Sequence, residues 1–126
     1  MIDFENPSFL KLRPVQDSKL ERLVQPMLIA GEEIVQTFQG MRDGVVFTDR
    51  RVIAVNVQGL TGMKKAFTVL PYSRVQAFAV ESAGLGDLDG ELQLWFSGGL
   101  GAVKFELLAG SDLALLSRVI GSAISG

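Results

Sequence analysis

Three groups of side chains in this chain could do chemistry: adjacent arginines at Arg50 and Arg51, an acidic run at Asp87, Asp89 and Glu91, and paired lysines at Lys64 and Lys65 with Arg42 upstream. A phosphate site needs several donors converging on one point, whereas neighbouring strand residues point to opposite faces. Arg50 and Arg51 therefore read as turn and strand-start charges, with Asp49 or Glu32 as partners. The acidic run alternates as hard oxygen ligands would. An EF-hand loop, however, puts its glycine sixth and a bidentate glutamate twelfth. Counted from Asp87, Gly90 comes fourth, so the run reads as a turn and no metal is implied. The chain contains no histidine and no cysteine, which removes the side chain that titrates near neutrality, the thiolate nucleophile and the commonest metal ligands. Tyr72 and the serines lack a neighbouring base and form no nucleophile constellation. The glycines at 84–86 and 97–101 lack the strand-to-helix setting of a dinucleotide or phosphate loop and read as hairpin glycines. No enzyme and no cofactor is expected.

Charge and hydropathy narrow the partners. Twelve basic and 14 acidic residues leave a net charge of -2, so no positive field is available to hold nucleic acid. Asp3 and Glu5 stand where a signal peptide would be basic, and no apolar run reaches the ~18 residues needed to span a bilayer. The expectation is a cytoplasmic chain. Its apolar content of 48% and mean hydropathy of +0.31 are high for so small a protein, and self-association would bury the surplus.

The elements that must position these residues follow from periodicity. Residues 1–17, with Pro7 and Pro14, read as an irregular arm, and residues 18–126 as a single domain. Ser18 and Glu21 fit a capping box at the start of a helix carrying Leu20, Leu23, Val24, Met27 and Leu28, which Pro26 should kink or divide and Gly31 should close. From Glu33 onward the period is two. Seven strands are expected near 33–40, 44–49, 51–57, 64–70, 74–82, 91–97 and 102–108, joined by short turns and hence antiparallel. In the turn after the second of these, Asp49 is expected to take the left-handed conformation. Ser111 or Asp112 can cap a last helix with Leu113, Leu116, Ile120 and Ile124 on one stripe. The fold class is α+β, mainly β: a bent antiparallel sheet or partly open barrel capped by a C-terminal helix.

The segments GEEIVQTFQGMRDGVVFTDRRVIAVNVQG, LPYSRVQAFAVESAG and DLDGELQLWF, in this order, resemble the bacterial pleckstrin-homology domains, with a strand, a Thr-x-x-Arg turn, a further strand and a later DLD-x-EL stretch. The resemblance covers about residues 20–124. It implies a seven-stranded bent sheet with a C-terminal helix, an N-terminal helical extension and a ring-forming homo-oligomer, five-fold symmetry being one form of it.

Alternation also singles out contact candidates. In the strand near 91–97, Leu92, Leu94 and Phe96 share the inward parity, which leaves Gln93 and Trp95 outside. In the strand near 51–57, Val52, Ala54 and Asn56 alternate with Ile53, Val55 and Val57, so both faces want burial. Leu115 and Val119 widen the apolar face of the last helix. Trp95, Gln93, Val55, Val57, Leu115 and Val119 are thus the interface candidates for a non-catalytic, self-assembling module. The competing class is a peripheral anionic-lipid module centred on Arg42, Lys64 and Lys65.

Overall fold

A computed structural model describes residues 8–16, 19–41, 43–58, 64–82, 89–99 and 101–125. The strands are β1 (Ser8–Val15), β2 (Ile34–Gln39), β3 (Asp43–Thr48), β4 (Arg51–Gln58), β5 (Lys64–Pro71), β6 (Val75–Ser82), β7 (Gly90–Phe96) and β8 (Gly101–Leu107), and the helices α1 (Lys19–Val24) and α2 (Leu113–Ser125). The last seven strands lie within one residue of the expected ranges.

Three expectations need correction. Among the described residues the sheet has eight strands, in the order β5-β4-β3-β2-β1-β8-β7-β6. The additional one, β1, comes from the segment expected to be an irregular arm, and it bridges two meanders, pairing parallel with β8 and antiparallel with β2. Its period is broken at Lys11, which has a φ of 51° at the point where the register shifts between Phe9 and Leu12. The buried pair is therefore three residues apart instead of two, and alternation could not reveal the strand. Second, the sheet is not antiparallel throughout, since β1 and β8 run parallel; of the two forms expected it takes the open one, with β5 and β6 as its edges. Third, the helical extension is a single short helix. Pro26, which cannot donate to a helical ladder, converts its end to a 3-10 turn over Gln25–Met27. The serine of the expected capping box, Ser18, lies outside the described residues.

Both faces of the β3–β4 region are buried, as their composition demands. One face joins the main core, where Val45, Phe47, Val52 and Ala54 meet Leu92, Leu94, Val103 and Phe105, together with Leu116 and Ile120 of α2. The other face, Val46, Ile53 and Val55, is covered by Leu20 and Val24 of α1. A six-residue helix is unstable alone, and burying these two side chains offsets that deficit by about 1.5–3 kcal/mol each. Gly44 makes the close approach possible, since a Cβ there would collide with the Leu20 side chain. At the other end of the chain, Asp112 caps α2 by accepting the Leu115 N–H at 3.0 Å.

Candidate functional site

The turn between β3 and β4 contains the densest polar network among the described residues, and Glu32 is its centre. Arg51 donates from Nε to Glu32 Oε2 at 2.9 Å and from Nη2 to Glu32 Oε1 at 2.9 Å, and Nη2 also reaches the Met27 carbonyl at 2.7 Å. The remaining acceptor capacity of the carboxylate is taken by the Thr48 hydroxyl at 2.6 Å and the Ile29 N–H at 3.1 Å. Thr48 Oγ1 in turn accepts the N–H groups of Arg50 and Arg51, and the buried Tyr72 hydroxyl donates to the Thr48 carbonyl at 2.8 Å. Gly31, with φ +82°, closes the turn that delivers Glu32 to this position.

The geometry decides the role of the two arginines. Arg51 is committed to Glu32, whose side chain is 0% exposed, while Arg50 stays at the surface. They do not converge on a common point. Asp49 does not take the expected left-handed conformation, since Lys11 is the sole non-glycine residue with positive φ among those described. Capping by Thr48, together with paired bonds between Asp49 and Glu33, holds the turn instead. Burial pushes the Tyr72 hydroxyl pKa up, and the Asp49 and Glu32 charges add to that shift, so this tyrosine stays neutral and structural.

Burial alone would raise the pKa of Glu32. The hydrogen bonds from Arg51, Thr48 and Ile29 and the Arg51 charge outweigh it and hold the carboxyl at about 2, against an ordinary 4.5. A depressed folded-state pKa means that the unfolded chain takes up the proton first. The stabilisation is complete above pH 4.5 and is lost as pH falls toward about 2. Urea unfolding from pH 7 to 2 should show a loss on the order of 3 kcal/mol over that window. A Glu32→Gln variant should be less stable at pH 7 and should lose this part of the pH dependence; an unchanged acid limb would remove Glu32 from the account.

The contact candidates separate by position. Leu92, Leu94, Phe96, Val103, Phe105 and Leu107 all point inward, and Trp95 and Gln93 lie half-buried on the outer face, Trp95 between Ala77 on β6 and Ala102 on β8. Val55 is corrected: it is 0% exposed under α1 and presents no surface. Val57 remains half-buried beside Lys65 on β5. Leu115 and Val119 line a shallow groove of about 470 Å3 with Asp49 and Arg118. Of the lipid candidates, Arg42 lies outside the described residues, and Lys64 and Lys65 are exposed at the start of β5.

A more enclosed cleft, about 530 Å3, lies where β1 leaves β2 and is lined by Gln16, Glu21, Gln36 and Thr37 among others. It offers amides, a carboxyl and a hydroxyl but no base paired with a nucleophile. Among the described residues no cluster suits a metal ion, and no helix is long and apolar enough to cross a membrane. Asp89 accepts the Ala109 N–H at 2.8 Å, a turn role; Asp87 and the glycines at 84–86 lie outside the described residues. Sequence reasoning named Glu32 only as one possible partner of the arginines and missed that it organises the turn. The signal was the one adjacent acidic pair in the sequence, Glu32-Glu33, upstream of a Thr-x-x-Arg turn.

The sequence model described as bacterial PH domain matches residues 3–124. The Bacillus subtilis protein YjqA is 42% identical over 93 residues, which span 74% of this chain and 70% of YjqA. The crystal structure of a DUF1696 family protein with a pleckstrin-homology domain from Shewanella loihica shares 32% identity and a TM-score of 0.72, covering 90% of this chain and 97% of that one. A pleckstrin homology domain from Shewanella amazonensis shares 36% identity at a TM-score of 0.61, covering 89% and 90%. An open sheet, a C-terminal helix on its core and a Thr-x-x-Arg turn locked to an upstream glutamate are thus the features of a chain that belongs to the bacterial PH domain family.

Proposed function

We propose that this domain is a non-catalytic interaction module that works by assembling with copies of itself, closing into a ring. One observation carries the reading: apolar side chains collect at the two open edges of the sheet. Phe67 and Val69 on β5 are 39% and 37% exposed, and Val80 on β6 is 39% exposed. An edge strand with such side chains invites pairing with another chain unless something covers it. Because the two edges differ, one edge meeting the other is a head-to-tail contact, which generates a ring when the rotation closes. The high apolar fraction of the whole chain points the same way.

Light scattering over a concentration series should give a stable multiple of 13.6 kDa. Trp95→Asp, on the outer face next to β6, should lower that mass while leaving the circular dichroism spectrum intact. A monomer at every concentration for the unaltered protein would end the self-assembly reading.

A lipid-surface reading has one observation of its own. Met41 is 100% exposed at the β2–β3 hairpin and Leu10 is 61% exposed on β1 beside it. The register places Lys64 and Lys65 at the same end of the sheet, since Asp43 faces Asn56 and Asn56 faces Ala66. Salt-sensitive sedimentation with anionic vesicles, abolished by Met41→Asp, would favour it.

A further inference from the structure

We infer that α2 carries a second contact between copies, separate from the sheet edges: the groove beside it docks on the same groove of another copy about a two-fold axis at Val119, with Arg118 of each copy against Asp49 of the other. This contact is isologous, and it adds to the self-assembly reading without depending on the edges.

The groove is lined by Leu115, Arg118, Val119, Ser122 and Ala123 of α2 and by Asp49 of the β3–β4 turn. At about 100° per residue, the helix side chains follow one another around α2 in the order Arg118, Ser122, Leu115, Val119, Ala123. Next come Leu116 and Ile120, both 0% exposed in the main core. The far flank of α2, with Leu113 and Ser117, faces Val80 and Ser82 of β6. Asp49 therefore bounds the groove on the Val119 and Ala123 side, and Arg118 bounds it on the other. A mainly apolar strip thus lies between a carboxylate and a guanidinium.

Such a strip is complementary to itself. A two-fold axis through its centre exchanges its edges, so the Arg118 edge of one copy lands on the Asp49 edge of the other, twice per contact. The two helices then run antiparallel. Val119 meets its own counterpart, and Leu115 of one copy lies beside Ala123 of the other, a large side chain against a small one. Both charged groups are available. Arg118 is exposed and has no hydrogen-bond or ion-pair partner among the described residues. Asp49 uses Oδ1 to accept the Glu33 N–H at 3.1 Å, which leaves Oδ2 for a cation. The neighbouring Arg50 is turned toward Gly31, where its Nη2 lies 3.5 Å from the position a Cβ would take. A groove this shallow does not enclose a small molecule, and charges of opposite sign at its two edges match no ligand of a single sign. The same patch, rotated, supplies both partners.

A residue on a two-fold axis faces itself, and the chain has no cysteine of its own. Oxidised Val119→Cys should therefore give a disulfide-linked dimer from one variant alone, whereas Ser117→Cys, on the β6 flank, should not. Light scattering reads the charges. Arg118→Glu brings like charges together at both pairs, as does Asp49→Lys, and each should raise the concentration at half-assembly by about tenfold. Mixed in equal amounts, the two variants should associate as the unaltered protein does, because Asp49 of the first meets Arg118 of the second and the two introduced charges meet each other. With the edge contact weakened by Trp95→Asp, the mass should settle at two chains. Cross-linking of Ser117→Cys as readily as of Val119→Cys, or a mixture that associates no better than its components, would overturn the two-fold contact and leave the edge reading standing. An unaltered protein that is monomeric at every concentration would remove both.

Discussion

Replacing Arg51 by alanine should lower the free energy of unfolding by about 3–5 kcal/mol, measured by urea titration at pH 7. Most of that cost comes from the partner left behind. Glu32 has a side chain that is 0% exposed, and without the guanidinium it is an uncompensated charge with the Thr48 hydroxyl and Ile29 N–H as its remaining donors. The Met27 carbonyl loses its partner as well, so the 3-10 turn that follows α1 is no longer tied to β4. Arg51→Lys should recover only part of the loss, because an ammonium is a point charge and cannot present Nε and Nη2 together to a carboxylate. A Glu32→Leu, Arg51→Met double variant should be nearer the unaltered protein than Arg51→Ala alone, since replacing both buried charges removes the desolvation cost with the attraction. A loss under about 1 kcal/mol for Arg51→Ala would mean that the pair behaves as a surface ion pair and does not hold the turn. For a domain whose total stability is about 5–15 kcal/mol, the larger value places the variant close to unfolding at ordinary temperature.

How legible such a network is depends on whether its members lie in a regular element. The alternation of Leu92, Leu94 and Phe96 against Gln93 and Trp95 identifies a strand and its inward face, because period two is the direct imprint of a pleated, half-buried sheet. The same logic predicts two buried faces for β4, and the structure supplies α1 as the second cover. It cannot say whether the cover comes from the same chain. Val55 was accordingly counted as a contact candidate and is instead buried under Leu20 and Val24. Glu32 lies in a turn, where no period exists, and its importance comes from four donors contributed by residues up to 19 positions away in sequence. The turn at Asp49 shows a related limit. Its residue types suggest a left-handed conformation, but hydrogen bonds donated by the Arg50 and Arg51 N–H groups to the Thr48 hydroxyl stabilise another geometry. Local propensity is a weak guide wherever a tertiary contact can satisfy the same backbone groups.

β1 is the clearest case of an element that tertiary packing creates. Its backbone enters a left-handed conformation at Lys11, and the Lys11 N–H is held by the Glu106 carboxylate at 3.1 Å. Aromatic packing anchors the strand: Phe9 stacks on Phe105 with centroids 5.4 Å apart and planes 8° from parallel, and Phe105 meets Phe47 edge to face at 5.3 Å. Phe38 of β2 meets Phe47 edge to face as well, at 5.6 Å, so four strands, β1, β2, β3 and β8, share one aromatic cluster at the point where the two meanders join. Phe105→Ala should cost about 3–5 kcal/mol by urea unfolding, because the surrounding strands are paired and cannot collapse into the space. Phe9→Ala, which leaves Phe105 its contact with Phe47, should cost at the lower end of that range. Taken together in a double-mutant cycle, the two changes should show a coupling of about 0.5–1.5 kcal/mol. If Phe9→Ala instead cost less than about 0.5 kcal/mol, β1 would be an arm docked on a fold that stands without it. The seven remaining strands would then be the cooperative unit. A cost near that of Phe105→Ala, with an unchanged dependence on urea concentration, would make the eight-stranded sheet itself that unit.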